Sequence, residues 1–318
     1  PPFSIFFPID CITFVFFFFT PLQMNNVSVF FLVLLLIASF ACNRPVSRFS
    51  WEGNTVAPGA IHFKNEAKKA TDFLWDFGDG SISVDSMPVH RFYSSGSFVV
   101  RLTALNGKKK RISMENITIK APEDCLIHLS TSLGDMVIKL YDETPAHRDN
   151  FMKLVEESFY DSLLFHRVMD GFMIQGGDPQ SRNAAKDARL GMGGPGYTVP
   201  AEFNDQLVHV KGALAAARTG GPSNPEMRSS GSQFYIVHGA PVSENSLKIM
   251  ESRTGVKYGD KQKEEYIALG GTPQLDNNYT VFGRVIEGLD VIDKIAKVQK
   301  DGANRPFTDV VMTLKLIK

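Results

Sequence analysis

Residues 165–178 read Phe165-His166-Arg167-Val168-Met169-Asp170-Gly171-Phe172-Met173-Ile174-Gln175-Gly176-Gly177-Asp178, and residues 231–236 read Gly231-Ser232-Gln233-Phe234-Tyr235-Ile236. Together they put one Arg, two Gln and several aromatic or Met side chains on strand-like segments. Side chains alternate along a strand, so Phe165 and Arg167 are expected on one face. If the strand is regular, Phe172 and Ile174 share a face, with Met173 and Gln175 on the other. An Arg among apolar neighbours is costly unless something pairs with it. Chemistry alone leaves two readings open for Arg167: a tie to a backbone carbonyl, or a group that binds a ligand.

Outward from this stretch the pattern is mainly β. Leu126–Leu133 and Met136–Tyr141 are strand-like runs joined by a hairpin at Leu133-Gly134-Asp135. Val281–Ile286 and Val310–Ile317 read as closing strands. Thr144-Pro145 opens a helix, with Thr as N-cap and Pro in the first turn, and Phe151, Leu154, Val155 and Phe159 recur at helical spacing. A second helix is expected over Leu289–Val298. Strands with few helices between them point to a barrel and not to a doubly wound sheet. Residues 242–273 are polar, rich in Lys and Glu, and closed by Gly270-Gly271. They read as an insertion on a barrel loop, with one short helix over Lys261–Leu269. Before the boundary at Ala121-Pro122-Glu123, residues 51–121 form a separate all-β unit. Its strands include Phe98–Leu102 and Ile117–Ile119, and Gly78-Asp79-Gly80 and Asn106-Gly107 are turn signals.

The chain has 318 residues, 43% apolar and 21% charged, which suggests two domains with real cores. Thirty-four basic residues balance thirty-four acidic ones, which argues against nucleic acid as a partner. Three cysteines exclude a disulfide scaffold. Residues 1–23, with the run Phe16–Phe19, are expected to be upstream sequence preceding a true start at Met24. Residues 24–41 have the length and apolar core of a signal peptide. Small residues before Cys42 resemble a bacterial lipoprotein cleavage site, so Cys42 is the expected lipidated N-terminus and membrane anchor, with 42–50 as a tether. This puts the folded part at the cell envelope, facing the periplasm or the exterior. There a lone thiol at Cys125 is best buried.

Trp75-Asp76-Phe77-Gly78-Asp79-Gly80, with Pro88, His90, Tyr93 and Gly96–Val100, resembles the PKD domain, an extracellular immunoglobulin-like β-sandwich. Trp75 and Phe77 are expected in its core, and its acidic pair reads as a structural turn. From about 126 to 318, the motifs FHRVMDGFMIQGGD, GSQFYI and LDNNYTVFGRVIEG resemble the cyclophilin-type peptidyl-prolyl cis-trans isomerases. The resemblance implies an eight-stranded antiparallel barrel with two capping helices over 124–318. It implies isomerisation at X–Pro bonds of exported proteins, without cofactor or metal, in an expected monomer. Carried over, Arg167 and Gln175 are the catalytic pair. Phe172, Met173, Tyr235 and Leu275 wall the proline pocket, Gln233 helps hold Arg167 and the substrate backbone, and Ala217, Arg218 and Thr219 bind the residue before proline. Tyr279 stands where many members have His, Gln274 where a Trp is frequent, and Tyr235 where Phe is common. The Gln274 departure speaks against tight cyclosporin binding more than against catalysis.

Other matches are weaker. Gly191, Gly193 and Gly196 spell G-x-G-x-x-G, but Pro195, Tyr197 and Pro200 deny it the strand and helix of a dinucleotide site. The histidines lack metal-ligand spacing. His166 reads as a structural residue, Asp178 as a turn brace, and Asp142-Glu143 as acids suited to a helix dipole. The alternative function is a non-catalytic module that binds proline peptides.

Overall fold

The computed structural model describes residues 44–122 and 125–317. The expectations for 1–23, for 24–41 and for Cys42 fall outside the described residues.

The first unit comprises strands β1 (Phe49–Gly53), β2 (Gly59–Asn65), β3 (Asp72–Asp76), β4 (Ile82–Ser83), β5 (Val89–Phe92), β6 (Gly96–Asn106) and β7 (Lys109–Ile119). They form two antiparallel sheets, ordered β1-β2-β5 and β4-β3-β6-β7. Alternation turns Trp75 and Phe77 inward, where they pack with Phe63, Phe92 and Leu102. The indole N–H of Trp75 donates to Asp85 O at 3.0 Å, so its buried polar atom is satisfied. Gly78 and Gly80 have φ of +80° and +92°, the angles that the acidic turn requires. The turn is structural in its bonding: Asp76 accepts from the Gly78 amide and Arg101, and Asp79 accepts from the Ser81 amide beside His90. The expected tether is shorter than 42–50. Val46 bridges Lys68, Ser47 donates to Leu102 O, and Phe49 packs edge-on against Trp75 at 5.2 Å. Phe49, 3% exposed, anchors this run in the sandwich core.

The second unit contains β8 (Leu126–Thr131), β9 (Gly134–Leu140), β10 (Leu163–Leu164), β11 (Arg167–Met169), β12 (Met173–Gly176), β13 (Thr198–Val199), β14 (Ala213–Ala216), β15 (Ser229–Ser230), β16 (Phe234–Val237), β17 (Val281–Glu287) and β18 (Val311–Ile317). The main sheet runs β10-β18-β8-β9-β17-β14-β16-β12-β11. Its two ends are halves of one strand: β10 pairs with β18 and β11 with β12, so residues 163–169 close the ring and the strands number eight. Leu129, Ile138, Phe165, Ile174, Leu214, Phe234 and Ile236 fill the interior. Cys125 is buried in the same cluster.

The break at Phe165-His166 corrects the expected facing. Phe165 and Val168 point into the core, whereas Arg167 pairs across to Gln175 on the outer face. An interrupted strand loses its alternation, and Phe165 and Arg167 therefore do not share a face. Phe172 and Ile174 also part company. Gly171, at φ +72°, makes 170–172 a turn, and Phe172 joins Met173 outside while Ile174 stays in the core.

Among the described residues there are four helices, α1 (Pro145–Glu156), α2 (Glu244–Thr254), α3 (Asp260–Leu269) and α4 (Leu289–Ala296), where two capping helices and one short insertion helix were expected. The insertion holds two of them: a helix was expected near α3, but α2 was not. Ser243 caps α2 by accepting from the Ser246 amide, and Gly255 ends it at φ +79°. Leu247, Tyr258 and Tyr266 bury themselves against Val208 and Val210 of the barrel, which supplies the apolar contact that the polar segment lacks by itself.

α1 is capped from a distance. Thr144 holds the N-cap position, but its buried hydroxyl makes no bond. The Glu202 carboxylate accepts instead from the amides of Ala146 and His147, at 3.0 and 2.9 Å. Asp142 is spent on the buried Arg148, which with Asp149 also holds Ser95 of the sandwich. Burial works to raise the Glu202 carboxyl, yet the His147 ring and the two amides outweigh it and hold the group below its ordinary 4.5. A depressed carboxyl contributes stability above its unfolded value and loses it as pH falls through its folded value. Glu202→Ala should therefore cost about 2 kcal/mol at neutral pH. In thermal unfolding, the gap to wild type should narrow as pH drops below 4.5; an unchanged melting temperature at pH 7 would remove Glu202 from this role.

Candidate active site

The antiparallel register sets Arg167 opposite Gln175, Gln175 opposite Tyr235, and Tyr235 opposite Ala215, one row across β11, β12, β16 and β14. The neighbouring row sets Met169 opposite Met173 and Met173 opposite Val237. Both rows lie on the outer face of the barrel, where Met173, Ala215, Tyr235 and Val237 form an apolar cluster of their own. Over it opens a cavity of about 200 Å³. Of the expected site residues it brings together Arg167, Phe172, Met173, Gln175, Ala217, Arg218, Tyr235, Leu275 and Tyr279.

Arg167 is held by neutral partners. Its Nη1–H donates to Gln175 Oε1 at 3.2 Å and its Nη2–H to Met169 Sδ at 3.2 Å. Gln175 Nε2 donates to Gln233 Oε1 at 3.0 Å, and Gln233 Nε2 donates to Gly193 O at 2.8 Å. This chain of amides fixes the guanidinium without neutralising it. Gly193 is required there, because a Cβ on it would run into the Asp178 carboxylate. Asp178 braces that loop, accepting from the amides of Gln180 and Gly191.

The apolar walls are pinned by backbone. His238 and Gly239 amides both donate to Phe172 O, and the Gly171 amide donates to His238 Nδ1 at 2.8 Å. Leu275 ends a short 3-10 turn, Pro273–Leu275. Arg218 lies over the Tyr279 ring at 4.7 Å and donates to Asn278 O, and Tyr279 meets Tyr235 edge-on.

Ala217, Thr219 and Gln233 take different places around the cavity. The Ala217 amide donates to Gln233 O and its carbonyl accepts from Ser230, so within the fold only its methyl is left for the cavity. Thr219 is exposed and outside the cavity wall. Gln233 is buried behind the cavity and braces Gln175. Gln274 is exposed. Met169 was missed as a partner of Arg167, although its position two residues further along one strand makes it a period-2 neighbour. His238 carried no sequence signal, since its partners lie far away in the chain.

Ser229, His147 and Glu202 are connected like an acyl-transfer relay: His147 Nε2 lies 2.9 Å from Ser229 Oγ and Nδ1 2.6 Å from Glu202. Ser229 is only 2% exposed, so no substrate reaches it and the trio acts as a brace.

Comparisons with known proteins identify the family of each unit. The family model for cyclophilin type peptidyl-prolyl cis-trans isomerase/CLD matches residues 126–315, and that for the PKD domain matches 46–120. A Staphylococcus epidermidis protein named as a peptidyl-prolyl cis-trans isomerase is 36% identical over 188 residues, covering 58% of this chain and 87% of that one. A Streptococcus pyogenes protein named as a bifunctional phosphatase/peptidyl-prolyl cis-trans isomerase is 34% identical over 194 residues, covering 58% of this chain and 37% of that one. A solved cyclophilin type peptidyl-prolyl cis-trans isomerase of Cryptosporidium parvum is 21% identical, covering 62% of this chain and 99% of that one, with a TM-score of 0.45.

His166, next to Arg167, takes no part in the cavity. It is 5% exposed, and neither ring nitrogen has a partner. Burial, the larger effect, lowers its imidazole below the ordinary 6.5, although Asp178 pulls the other way. The neutral ring is thus favoured in the folded state, and the stability it brings is present above 6.5 and lost as pH falls. NMR titration of the ring should give a midpoint below 6.5, and His166→Phe should lessen the fall in melting temperature between neutral and mildly acid pH. A midpoint above 6.5 would contradict this placement.

Proposed function

Because the chain belongs to the cyclophilin-type peptidyl-prolyl cis-trans isomerase family, we propose that Arg167 is its catalytic group and that the cavity beside it takes the proline ring. The reaction is rotation about X–Pro bonds. The observation that carries the assignment of roles is the cross-strand row that fixes a charged guanidinium at the edge of an apolar cavity.

The X–Pro amide turns over a barrier of about 18–20 kcal/mol, because resonance gives the C–N bond partial double character. As the amide twists, that resonance is lost and the proline nitrogen regains a lone pair. Arg167 donates an N–H to the prolyl nitrogen region, an interaction stronger in the twisted state than in either planar one. Phe172, Met173, Leu275 and Tyr235 hold the ring while the preceding carbonyl rotates. Gln175 aims the guanidinium, and Arg218 with the exposed Thr219 lies where the residue before proline enters. The step makes and breaks no covalent bond and moves no proton.

Removing a preorganised donor at a site of developing charge costs roughly 3–4 kcal/mol. Arg167→Ala should therefore slow exchange about 100-fold or more at equal peptide saturation. The test is NMR exchange spectroscopy on a short X–Pro peptide with residues 43–318. Near wild-type acceleration by the variant would overturn the role of Arg167. Binding without acceleration by the wild type itself would make the barrel a peptide-recognition module.

We further propose that the enzyme is lipid-anchored at the cell envelope and acts on exported polypeptides. Support comes from the sequence: the apolar run Val27–Ala41, the small residues preceding Cys42, and a PKD domain standing between that cysteine and the barrel. Cells given labelled palmitate should label the wild type and not Cys42→Ser. Equal label in both would contradict the anchor.

A further inference from the structure

Behind the cavity runs a buried line of polar side chains that the rotation step does not use. Tyr235, whose ring walls the cavity, has its hydroxyl 2.9 Å from His209 Nε2. His209 Nδ1 lies 2.7 Å from Asp276 Oδ1, which also accepts from the His209 amide at 2.9 Å. The other carboxylate oxygen accepts from Tyr258 Oη at 2.9 Å and Tyr266 Oη at 2.6 Å. All five residues are at most 5% exposed. Tyr266 lies on α3 and Tyr258 between α2 and α3, so both tyrosines belong to the 242–273 insertion.

The donor and acceptor inventory orders the line. A carboxylate only accepts, so both tyrosine hydroxyls and the Nδ1–H of His209 donate to Asp276, and its lone-pair sites are filled. His209 is left with Nε2 as an acceptor, and the Tyr235 hydroxyl donates to it; this tautomer follows from the network. Burial first, and then the charge of Asp276, raise both insertion tyrosines, which keeps them protonated as donors. The line also touches the cavity a second time, because Asp276 follows Leu275 directly.

A satisfied buried network is enough to glue a helical insertion onto a barrel, and most such networks do only that. Two features go beyond glue. The line ends on the cavity wall itself, and it uses the hydroxyl that distinguishes Tyr235 from a Phe. We infer that the insertion is a positioning element for the proline cavity: Tyr258 and Tyr266 act through Asp276 and His209 to set the Tyr235 ring and the Leu275 wall, and thereby the affinity for proline peptides. This rests on reading the cavity as the proline site. Arg167 stands in the same row but is held by other partners, Gln175 and Met169, so the insertion governs binding and leaves rotation of the bound peptide to Arg167.

A double-mutant cycle separates positioning from glue. Tyr266→Phe removes one O–H and keeps the ring; Tyr258→Phe does the same and replaces it should the first fail to fold. Each is made in the wild-type and in the Tyr235→Phe background, and both the dissociation constant of an X–Pro peptide and the exchange rate at saturation are measured by NMR. The expected result is an affinity loss of about threefold or more with Tyr235 present, and less than about 1.5-fold with Phe at 235. The exchange rate of the bound peptide should change little in either single variant. An equal affinity loss in both backgrounds, or none in either, would overturn the inference. Peptide binding without any exchange by the wild type would remove the catalytic reading alone, since the affinity cycle would still decide the positioning role.

Discussion

The hydrogen-bonded line from Arg167 through Gln175 and Gln233 to Gly193 O is the constraint around which the second domain is arranged. Free arginine side chains lose about 2 kcal/mol of rotamer entropy when fixed. Here that loss is taken on folding, by neutral amides that leave the charge intact. The guanidinium therefore meets a peptide already aimed, and reorganisation is not charged to the rotation step. A carboxylate partner would have held Arg167 more strongly, but it would also have competed with the developing lone pair.

Barrel closure makes that line possible. Residues 163–169 pair with β18 through their first part and with β12 through their last part. The break between these parts lets Phe165 stay in the core while Arg167 emerges beside Gln175. Glycine at 177 and 193 permits the backbone to approach Gln233 and Asp178 closely, as side chains there would collide with the Ser232 carbonyl and the Asp178 carboxylate. Position in the fold, then, is set by a strand irregularity and two close approaches, while reactivity is set by what those features bring together.

Much of this was legible beforehand. Alternation in Met173-Ile174-Gln175 and Phe234-Tyr235-Ile236 separates core from cavity correctly, and the apolar face of α4 is plain in Val291, Ile292 and Ile295. The failures have local causes. Phe165 and Arg167 were assigned one face because a strand break leaves no mark in composition. Residues 42–50 read as a tether, yet Phe49 inserts beside Trp75. α2 has a single buried anchor, Leu247, and so offered almost no periodicity. Glu202, His209 and Asp276 were invisible because their partners lie tens of residues away, and a long-range polar contact has no period to read. Ala217 lines the cavity with its methyl, while its amide and carbonyl are bonded within the fold, a pairing that no local pattern announces.

The central claim is that a guanidinium held in place, and not merely present, accelerates rotation. Gln175→Leu tests it most directly, since it removes the brace and leaves Arg167 intact. At saturating X–Pro peptide, NMR exchange should slow by about tenfold, the effect of one lost positioning hydrogen bond to a charged group, with peptide affinity little changed. Wild-type exchange by a folded Gln175→Leu protein would contradict the account.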